Sequence, residues 1–375
     1  MLPRLLSTYR ALALLCLNTF LVFALMNGCA AGLLSVLPDR DVEGAMGYGL
    51  EKLEQVYPHR DGDEIRRLLT ETWSRPYIYE PYTQFKESSY SGEFINVGAE
   101  GFRDTGHGLP WPPSSEDLTI LVFGGSTTFG YGLADEETIP ARLQDALSQA
   151  CARRVAVFNM ARSNYFSSQE NVLFQRLLVQ GITASAAVFI DGLNEFGHAD
   201  DAPKFTDRLT YLMEETPAQA GRRVVVGLPL ARLAKRWLRR PDLAQKREAR
   251  PEEALRIVDR WLGNRAQIRA AAAAAGVQTL FVWQPIPSYG YSREHHLFVG
   301  DGGSQEQTSA AGYDLVDRLR NEPGGVGEDL LWLADLQRDR EEPLYVDQVH
   351  YTAAFSTEIA EAIALTLAPR LCPVR

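Results

Sequence analysis

The chain has 375 residues, 45% of them apolar and 23% charged, a composition typical of a folded globular protein. Its length fits one large α/β domain or two average domains. The formal net charge of −10 argues against a nucleic-acid partner, because such binding requires Lys and Arg to neutralise phosphates.

The N-terminal segment is strongly apolar. Residues 11–37 contain no charged side chain, with Arg4 and Arg10 before them and Asp39 after them. As a helix this run is about 40 Å long, more than the ~30 Å hydrocarbon core of a bilayer. Because flanking basic residues stay in the cytoplasm, the sequence predicts a single-pass anchor of the inner membrane over residues 1–38. The remaining chain is then extracytoplasmic, in the periplasm of a Gram-negative source.

Two alternatives to the anchor remain open. Gly28-Cys29-Ala30 has the small residues of a signal-peptide cleavage site. Lipidation at Cys29 is less favoured, because Met26 and Asn27 are poor residues ahead of a lipoprotein cysteine.

Residues 39–117 form a membrane-proximal segment that we expect to pack on the main domain. A helix is predicted over residues 51–73, followed by a Tyr- and Pro-rich stretch typical of short strands and turns. The segment ends at the linker-like WPPSSED, residues 111–117.

From residue 118 to the C-terminus, apolar runs alternate with helical stretches, a pattern typical of a parallel sheet covered by helices. We therefore predict a main domain over residues 118–375, with a basic helical insertion around 200–250 and no internal repeat. Strands are predicted at 119–123, 155–159, 186–190 and 279–283, with a weaker one at 331–336. The predicted helices span 136–150, 168–180, 251–275 and 353–367.

The insertion carries a basic cluster, ARLAKRWLRR at residues 231–240. Arg232, Lys235, Arg236 and Arg239 recur at helical spacing. A solvated helix face is the default interpretation of such a cluster. Contact with anionic lipid headgroups or with an acidic polysaccharide are the two functional alternatives.

A glycine-rich turn, FGGSTTFGYG at residues 123–132, follows the first predicted strand of the main domain. Gly125 and Gly130 have the spacing of a phosphate loop, but Tyr131 stands where that loop needs a lysine. The turn instead displays Ser126 at the carboxyl edge of the sheet, where doubly wound folds build their sites. A helix cap is the simpler role for such a serine.

A serine nucleophile needs a base and a group that orients the base. The motif DQVH, residues 347–350, follows the last predicted strand, and its spacing lets Asp347 reach Nδ1 of His350 and leaves Nε2 for the serine. An oxyanion also needs fixed donors. The backbone N–H of Ala161 and the side-chain amide of Asn194 follow the second and third strands, although Asn194 could equally be a turn residue.

Four blocks in this order resemble the signature blocks of the SGNH, or GDSL, hydrolases: GGS (124–126), NMA (159–161), GLNE (192–195) and DQVH (347–350). The resemblance covers roughly residues 118–370. It implies a flavodoxin-like, three-layer α/β/α fold with a parallel sheet of strand order 2-1-3-4-5. It also implies that Ser126 is the nucleophile, His350 the base and Asp347 its partner, with an oxyanion hole made by the N–H groups of Ser126 and Ala161 and the amide of Asn194.

The chain departs from the family pattern at two positions. Gly125 replaces the family's aspartate and Ala161 its second-block glycine, and neither change removes a catalytic group. The upstream FINVGAEGFRD, residues 94–104, resembles the segment that precedes this domain in membrane-anchored bacterial members, several of them linked to surface polysaccharide modification.

The fold implied by the resemblance places the helices that end at Cys151 and Cys372 on one face of the sheet. It therefore implies a disulfide between them, which persists outside the cytoplasm; two buried thiols are the alternative. No cofactor or metal is expected, because His295-His296 and His198 with Asp200 lack a convincing ligand set.

These features predict a serine-dependent ester hydrolase, or an acyl transferase, that works through an acyl-enzyme. The expected substrates are O-acyl groups on an extracytoplasmic carbohydrate, with possible partners in a polysaccharide assembly system. A lipase or thioesterase is the alternative among enzymes, with an acyl groove formed by Trp237, Leu238 and the insertion. A catalytically inactive, membrane-anchored glycan-binding subunit is the alternative from another class.

Overall fold

A computed structural model describes residues 2–37, 44–238, 251–299, 304–323, 325–327 and 329–372. The described residues fall into two compact units. The smaller unit comprises those between 1 and 40 and between 207 and 245. The larger unit comprises those between 41 and 206 and between 246 and 375.

The smaller unit is helical. Its first helix is Leu2–Val36, within which residues 6–36 are long and apolar enough to cross a membrane. The insertion adds Thr206–Met213, Pro217–Gly227 and Pro229–Leu238. The last two each start at a proline, which suits the first helical position. Arg239 and Arg240 of the basic cluster lie outside the described residues.

Between residues 50 and 73 the membrane-proximal segment forms two helices, so the prediction of one helix over residues 51–73 was wrong. Leu50–Val56 and Gly62–Trp73 are separated by a turn at Pro58, which has no N–H to continue a helix. Asp61 caps the second helix by accepting hydrogen bonds from the N–H groups of Asp63 and Glu64, at 3.0 and 2.8 Å. Two short antiparallel pairs follow: β1 (Tyr77–Glu80) with β2 (Gln84–Glu87), and β3 (Tyr90–Ser91) with β4 (Asn96–Val97).

The centre of the larger unit is a five-stranded parallel sheet. Its strands are β5 (Leu118–Gly124), β6 (Val155–Asn159), β7 (Ala186–Asp191), β8 (Gln278–Trp283) and β9 (Leu330–Trp332). They lie in the order β6-β5-β7-β8-β9, which is 2-1-3-4-5 along the main domain, and this confirms the predicted topology. The last strand is shorter than the predicted 331–336, because the chain turns into a 3₁₀ segment, Ala334–Gln337.

Helices cover both faces of the sheet and complete the three layers. Ile139–Ala150 and Ala353–Leu371 pack on one face. Ser167–Val179, Pro251–Ala275 and Ser304–Asn321 contribute to the core on the other. Since both faces are covered, every residue of β5, β6 and β7 is buried, which explains their continuous apolar runs.

Two details of these helices differ from the sequence-based expectation. The helix expected from residue 136 begins at Ile139, because the side chain of Thr138 caps it by accepting from the N–H of Ala141. The helix Ser304–Asn321, between β8 and β9, was not predicted.

A disulfide joins the ends of the two helices that share one face. Cys151 and Cys372 are the residues at which Ile139–Ala150 and Ala353–Leu371 end, and their Cα atoms are 5.2 Å apart. Cys16 and Cys29 are free thiols on the first helix. The C-terminal helix, which begins three residues after His350, is thereby covalently fastened to its neighbour.

Candidate active site

The serine of the glycine-rich turn opens a short helix at the carboxyl end of β5. The helix spans Ser126–Phe129 and ends at Gly130, which has a left-handed φ of 93°. Ser126 is therefore a first-turn residue, and N–H groups of a first turn have no partner within their own helix. The turn presents both a hydroxyl and a backbone donor at the sheet edge.

The histidine lies in a compact loop formed by its own motif. Asp347 Oδ1 accepts the backbone N–H groups of Val349 and His350, each at 2.9 Å. Asp347 Oδ2 lies 2.7 Å from Nδ1 of His350. The carboxylate thus fixes the loop and orients the ring at the same time.

The ring of His350 connects this loop to the serine. Its Nε2 lies 2.8 Å from Oγ of Ser126, across 224 residues of sequence. Because an ionised carboxylate can only accept, Nδ1 carries the ring proton and Nε2 has its lone pair towards the serine. The three predicted residues Ser126, His350 and Asp347 are therefore brought together in one hydrogen-bonded series.

The Asp347 carboxylate is held in its ionised form. Burial acts to raise its pKa, but the charge of His350, the bond to the His350 ring and the two backbone donors outweigh burial. The pKa of Asp347 consequently lies below its usual value. The group stays an acceptor for Nδ1–H at every pH near neutrality.

Two aromatic rings hold the imidazole, and sequence reasoning identified neither. Tyr131 stacks on His350 with ring centroids 5.4 Å apart, and Trp73 meets it edge-on at 5.8 Å. Trp73 comes from the membrane-proximal segment, so that segment contributes a wall of the site. Nothing in the local sequence around Trp73 distinguishes it from a core residue.

Gln284 is a second group that sequence reasoning missed. It directly follows β8, and its side-chain oxygen accepts the hydroxyl of Thr127 at 2.7 Å and that of Tyr351 at 3.0 Å. These two donors are the neighbours of Ser126 and His350 in sequence. Gln284 therefore ties the serine turn to the histidine loop. Its position after a strand, at the same sheet edge as the other site residues, was the available signal.

The predicted oxyanion donors reach the same edge but are engaged in the described state. The side chain of Asn194 donates from Nδ2 to the carbonyl of Tyr165 at 2.7 Å, which leaves the second hydrogen of the amide. The N–H of Ala161 lies 3.2 Å from Oδ1 of Asn159. Asn194 lies directly over the serine turn, because a Cβ on Gly125 would be 2.0 Å from its Nδ2.

A buried pair of carboxyls supports the loop that carries Asn194. Asp191 is the last residue of β7 and accepts the indole N–H of Trp261 at 2.9 Å. Glu170 is fully buried beside it. Within the described residues, both oxygens of Glu170 and Oδ1 of Asp191 have no donor, unless a proton is shared between the two carboxyls. Burial together with neighbouring negative charge raises the pKa of Glu170 well above its usual value and that of Asp191 to about 8.

This pair predicts a pH dependence of stability. Because the folded-state pKa of Asp191 is above its unfolded-state value, the native protein retains a proton that the unfolded chain has released. The free energy of unfolding should therefore fall as pH rises from about 4 to about 8, by up to roughly 1.4 kcal/mol per pH unit. Chemical denaturation of the full-length protein in detergent at several pH values measures this slope.

The control is Asp191→Asn, compared with Glu170→Gln. Both variants should unfold with a flatter pH dependence, whatever their stability at one pH. An unchanged slope in both would show that the pair does not titrate in this range.

The other histidines named above lie elsewhere. The ring nitrogens of His198 lie 2.8 Å from the carbonyl oxygen of Ala202 and 3.1 Å from that of Asn164. His296 stacks on Tyr345. Across the described ranges, no group of three or more His, Cys, Asp and Glu side chains is arranged to hold a metal ion.

Fold and site together define an α/β protein with a serine, a histidine and an aspartate in hydrogen-bonded series. No protein-family model and no curated protein matches the chain. Similar solved structures include a lipase from a goat rumen metagenome, with 12% identity and a TM-score of 0.40 over 68% of this chain and 99% of that one. A lipase/acylhydrolase from Enterococcus faecalis has 12% identity and a TM-score of 0.38 over 68% and 98%. A GDSL-like lipase from Bacteroides thetaiotaomicron has 11% identity and a TM-score of 0.33 over 69% and 90%.

Proposed function

We propose that this protein is a serine esterase, or an acyl transferase, that works through an acyl-enzyme. The observation that carries the proposal is the hydrogen-bonded series from Asp347 through His350 to Ser126, at 2.7 and 2.8 Å. A serine, a base and an orienting carboxylate at these distances are the parts that nucleophilic catalysis needs. A merely structural serine has no need of a histidine whose second nitrogen is held by a carboxylate.

The chemistry follows from the arrangement. Oγ of Ser126 attacks the ester carbonyl while Nε2 of His350 takes its proton, and Asp347 stabilises the imidazolium that results. The imidazolium then protonates the leaving alkoxide, so that the C–O bond breaks and the acyl group remains on Ser126. Water or a sugar hydroxyl, deprotonated in turn by His350, then attacks the acyl-enzyme. The bond between the acyl carbon and Oγ of Ser126 breaks, and the imidazolium returns its proton to Oγ as the product leaves.

The carbonyl oxygen becomes an anion in each of these steps. We assign its stabilisation to the N–H groups of Ser126 and Ala161 and to the free hydrogen of the Asn194 amide. Binding requires Ala161 to exchange its 3.2 Å contact with Asn159 for the substrate oxygen. Donors of this kind each contribute about 10²–10³-fold to kcat.

A substitution at Gly125 tests this oxyanion hole. The φ of Gly125 is −87°, which alanine adopts without strain. An added Cβ would lie 2.0 Å from Nδ2 of Asn194 and 3.2 Å from the carbonyl oxygen of Tyr165, so Gly125→Ala acts chiefly by displacing the Asn194 amide. We expect kcat for an acetyl ester to fall about 10²–10³-fold with a small change in melting temperature. Asn194→Ala should cost as much.

The double variant, Gly125→Ala with Asn194→Ala, is the control. Because both changes remove the same donor, the Asn194 amide, kcat of the double variant should be no lower than that of either single variant. Additive losses, or a Gly125→Ala enzyme with wild-type kcat, would contradict the assignment.

We propose O-acyl groups on an extracytoplasmic carbohydrate as the substrate and the inner membrane as the location, with the active site in the periplasm. The N-terminal helix, with its uncharged run after Arg10, supports membrane attachment. We further propose that its protein partners belong to a system that assembles surface polysaccharides at the membrane.

Product analysis tests the proposal. Purified full-length protein is given an activated acetyl ester, with and without an acetylatable oligosaccharide, and acetate and acetylated sugar are measured. Free acetate alone indicates hydrolysis, and acetylated sugar indicates transfer. Preference for long-chain over acetyl nitrophenyl esters would favour the lipase alternative, and no turnover of any ester would contradict enzymatic function.

A further inference from the structure

The insertion exposes an unusual amount of apolar surface. Five large apolar side chains on its helices are between 59% and 89% exposed: Met213, Val224, Val225, Trp237 and Leu238. Single exposed apolar side chains are common on soluble proteins, whereas a group of them on neighbouring helices indicates a binding surface.

The insertion packs on the first helix. Pro229–Leu238 contacts Leu2–Val36 within one compact unit. The backbone N–H of Leu230 donates to Oδ1 of Asn27 at 3.2 Å. The insertion therefore contacts the apolar helix at a known position, Asn27.

The depth of Asn27 relative to a bilayer follows from the length of the first helix. A hydrocarbon core of about 30 Å takes about 20 helical residues, so counting from the charged Arg10 the core ends near residue 30. Asn27 is three residues earlier along the helix, within one turn of that boundary. The helix Pro229–Leu238 consequently meets the first helix where acyl chains give way to headgroups.

The chemistry of the helix suits this position. Leu230, Leu233 and Trp237 recur on one face at helical spacing, and Arg232 and Lys235 stand off that face. A helix with apolar and basic faces lies in the plane of a membrane surface, and tryptophan is enriched at that depth.

Charge favours an anionic surface. Residues 207–238 carry six basic and three acidic side chains, whereas the whole chain has a formal net charge of −10. Basic residues close to an anionic leaflet are attracted to its headgroups. The insertion is thus locally positive in an acidic protein.

We propose that the insertion is an interfacial membrane-binding element. Its exposed valines, Trp237 and Leu238 enter the outer leaflet beside the spanning helix, and its basic residues bind anionic headgroups. The proposal requires the first helix to span the membrane and is independent of the esterase chemistry.

A single-site label measures the depth of the insertion. The full-length protein with Cys16→Ser, Cys29→Ser and Val225→Cys is labelled with an environment-sensitive fluorophore and reconstituted into phosphatidylethanolamine vesicles with and without phosphatidylglycerol. We expect a blue-shifted emission that lipid-borne nitroxides quench and aqueous iodide does not. Val179→Cys in the same background is the matched control, since Val179 is 88% exposed on a helix of the larger unit. It should respond only to iodide.

Two further outcomes decide the proposal. Arg232→Glu with Lys235→Glu should reduce nitroxide quenching at position 225, most in vesicles that contain phosphatidylglycerol. If position 225 is as open to iodide as position 179, the insertion does not enter the membrane. If it becomes shielded only when an acidic polysaccharide is added, the basic helices bind glycan instead and the proposal is wrong.

Discussion

Replacing Ser126 by alanine is expected to reduce kcat for an activated acetyl ester by about 10⁶-fold. The change removes Oγ, which lies 2.8 Å from Nε2 of His350 and is the atom that forms the acyl-enzyme in the mechanism we propose. His350→Ala should cost about as much, and the two losses should not add, because either one ends the same step. Asp347→Asn should cost about 10⁴-fold, since the amide favours the wrong tautomer of the histidine.

The measurement is steady-state and single-turnover hydrolysis by purified full-length variants. Ser126→Ala removes one oxygen atom, so its melting temperature should match that of the wild type. Ser89→Ala, at an exposed serine of the membrane-proximal segment, should retain full activity. A Ser126→Ala protein that keeps more than a small fraction of wild-type turnover would contradict the catalytic role.

Replacing Arg103 by alanine is expected to lower the free energy of unfolding by about 3–5 kcal/mol. The guanidinium is completely buried and donates to Oδ1 of Asp135 at 2.8 Å. It also donates to the backbone carbonyls of Phe129, Gly130 and Leu133, at 2.6–3.0 Å. Without Arg103, the buried Asp135 carboxylate and these three carbonyls lose the donor that they share. Leaving buried acceptors without a donor lowers the stability of the fold.

Chemical denaturation of the full-length protein measures this loss, and a second substitution resolves its cause. Burial already raises the pKa of Asp135, and Arg103 is the largest opposing influence. Arg103→Ala with Asp135→Asn should therefore recover part of the stability. Arg67→Ala, which breaks an exposed pair with Glu93, should cost at most about 1 kcal/mol. Equal losses for the two arginines would refute the importance of burial.

The sheet was predictable from the sequence because both of its faces are covered. A strand buried on both sides has an unbroken apolar run, and β5, β6 and β7 each have one. The sequence pattern of the short β9 was weaker, and β9 is the strand whose predicted length was wrong. Asp347 and His350 were predictable as a pair because three residues separate them and the contact is local.

The surroundings of the proposed catalytic residues depend on contacts between distant parts of the chain. Gln284 meets Thr127 across 157 residues, and Trp73 reaches His350 from outside the main domain. The buried Glu170 and Asp191 resemble an ordinary exposed helix residue and a strand end when only the sequence is read. A single sequence contains no record of such pairings, whereas periodicity and local spacing are present in it.

The helix expected over residues 51–73 shows a different kind of error. Its apolar periodicity continues across Pro58, but Asp61 has the position and the side chain of a helix cap. The local start signal outweighed the periodic pattern.

The most direct test of the account is to identify the residue that reacts with a fluorophosphonate. The full-length protein is treated with the reagent, digested and analysed by mass spectrometry. The arrangement of Ser126, His350 and Asp347 predicts one covalent adduct on the peptide that contains Ser126, greatly slowed in His350→Ala. Absence of labelling, or labelling that persists in Ser126→Ala, would contradict the proposal that this protein is a serine esterase.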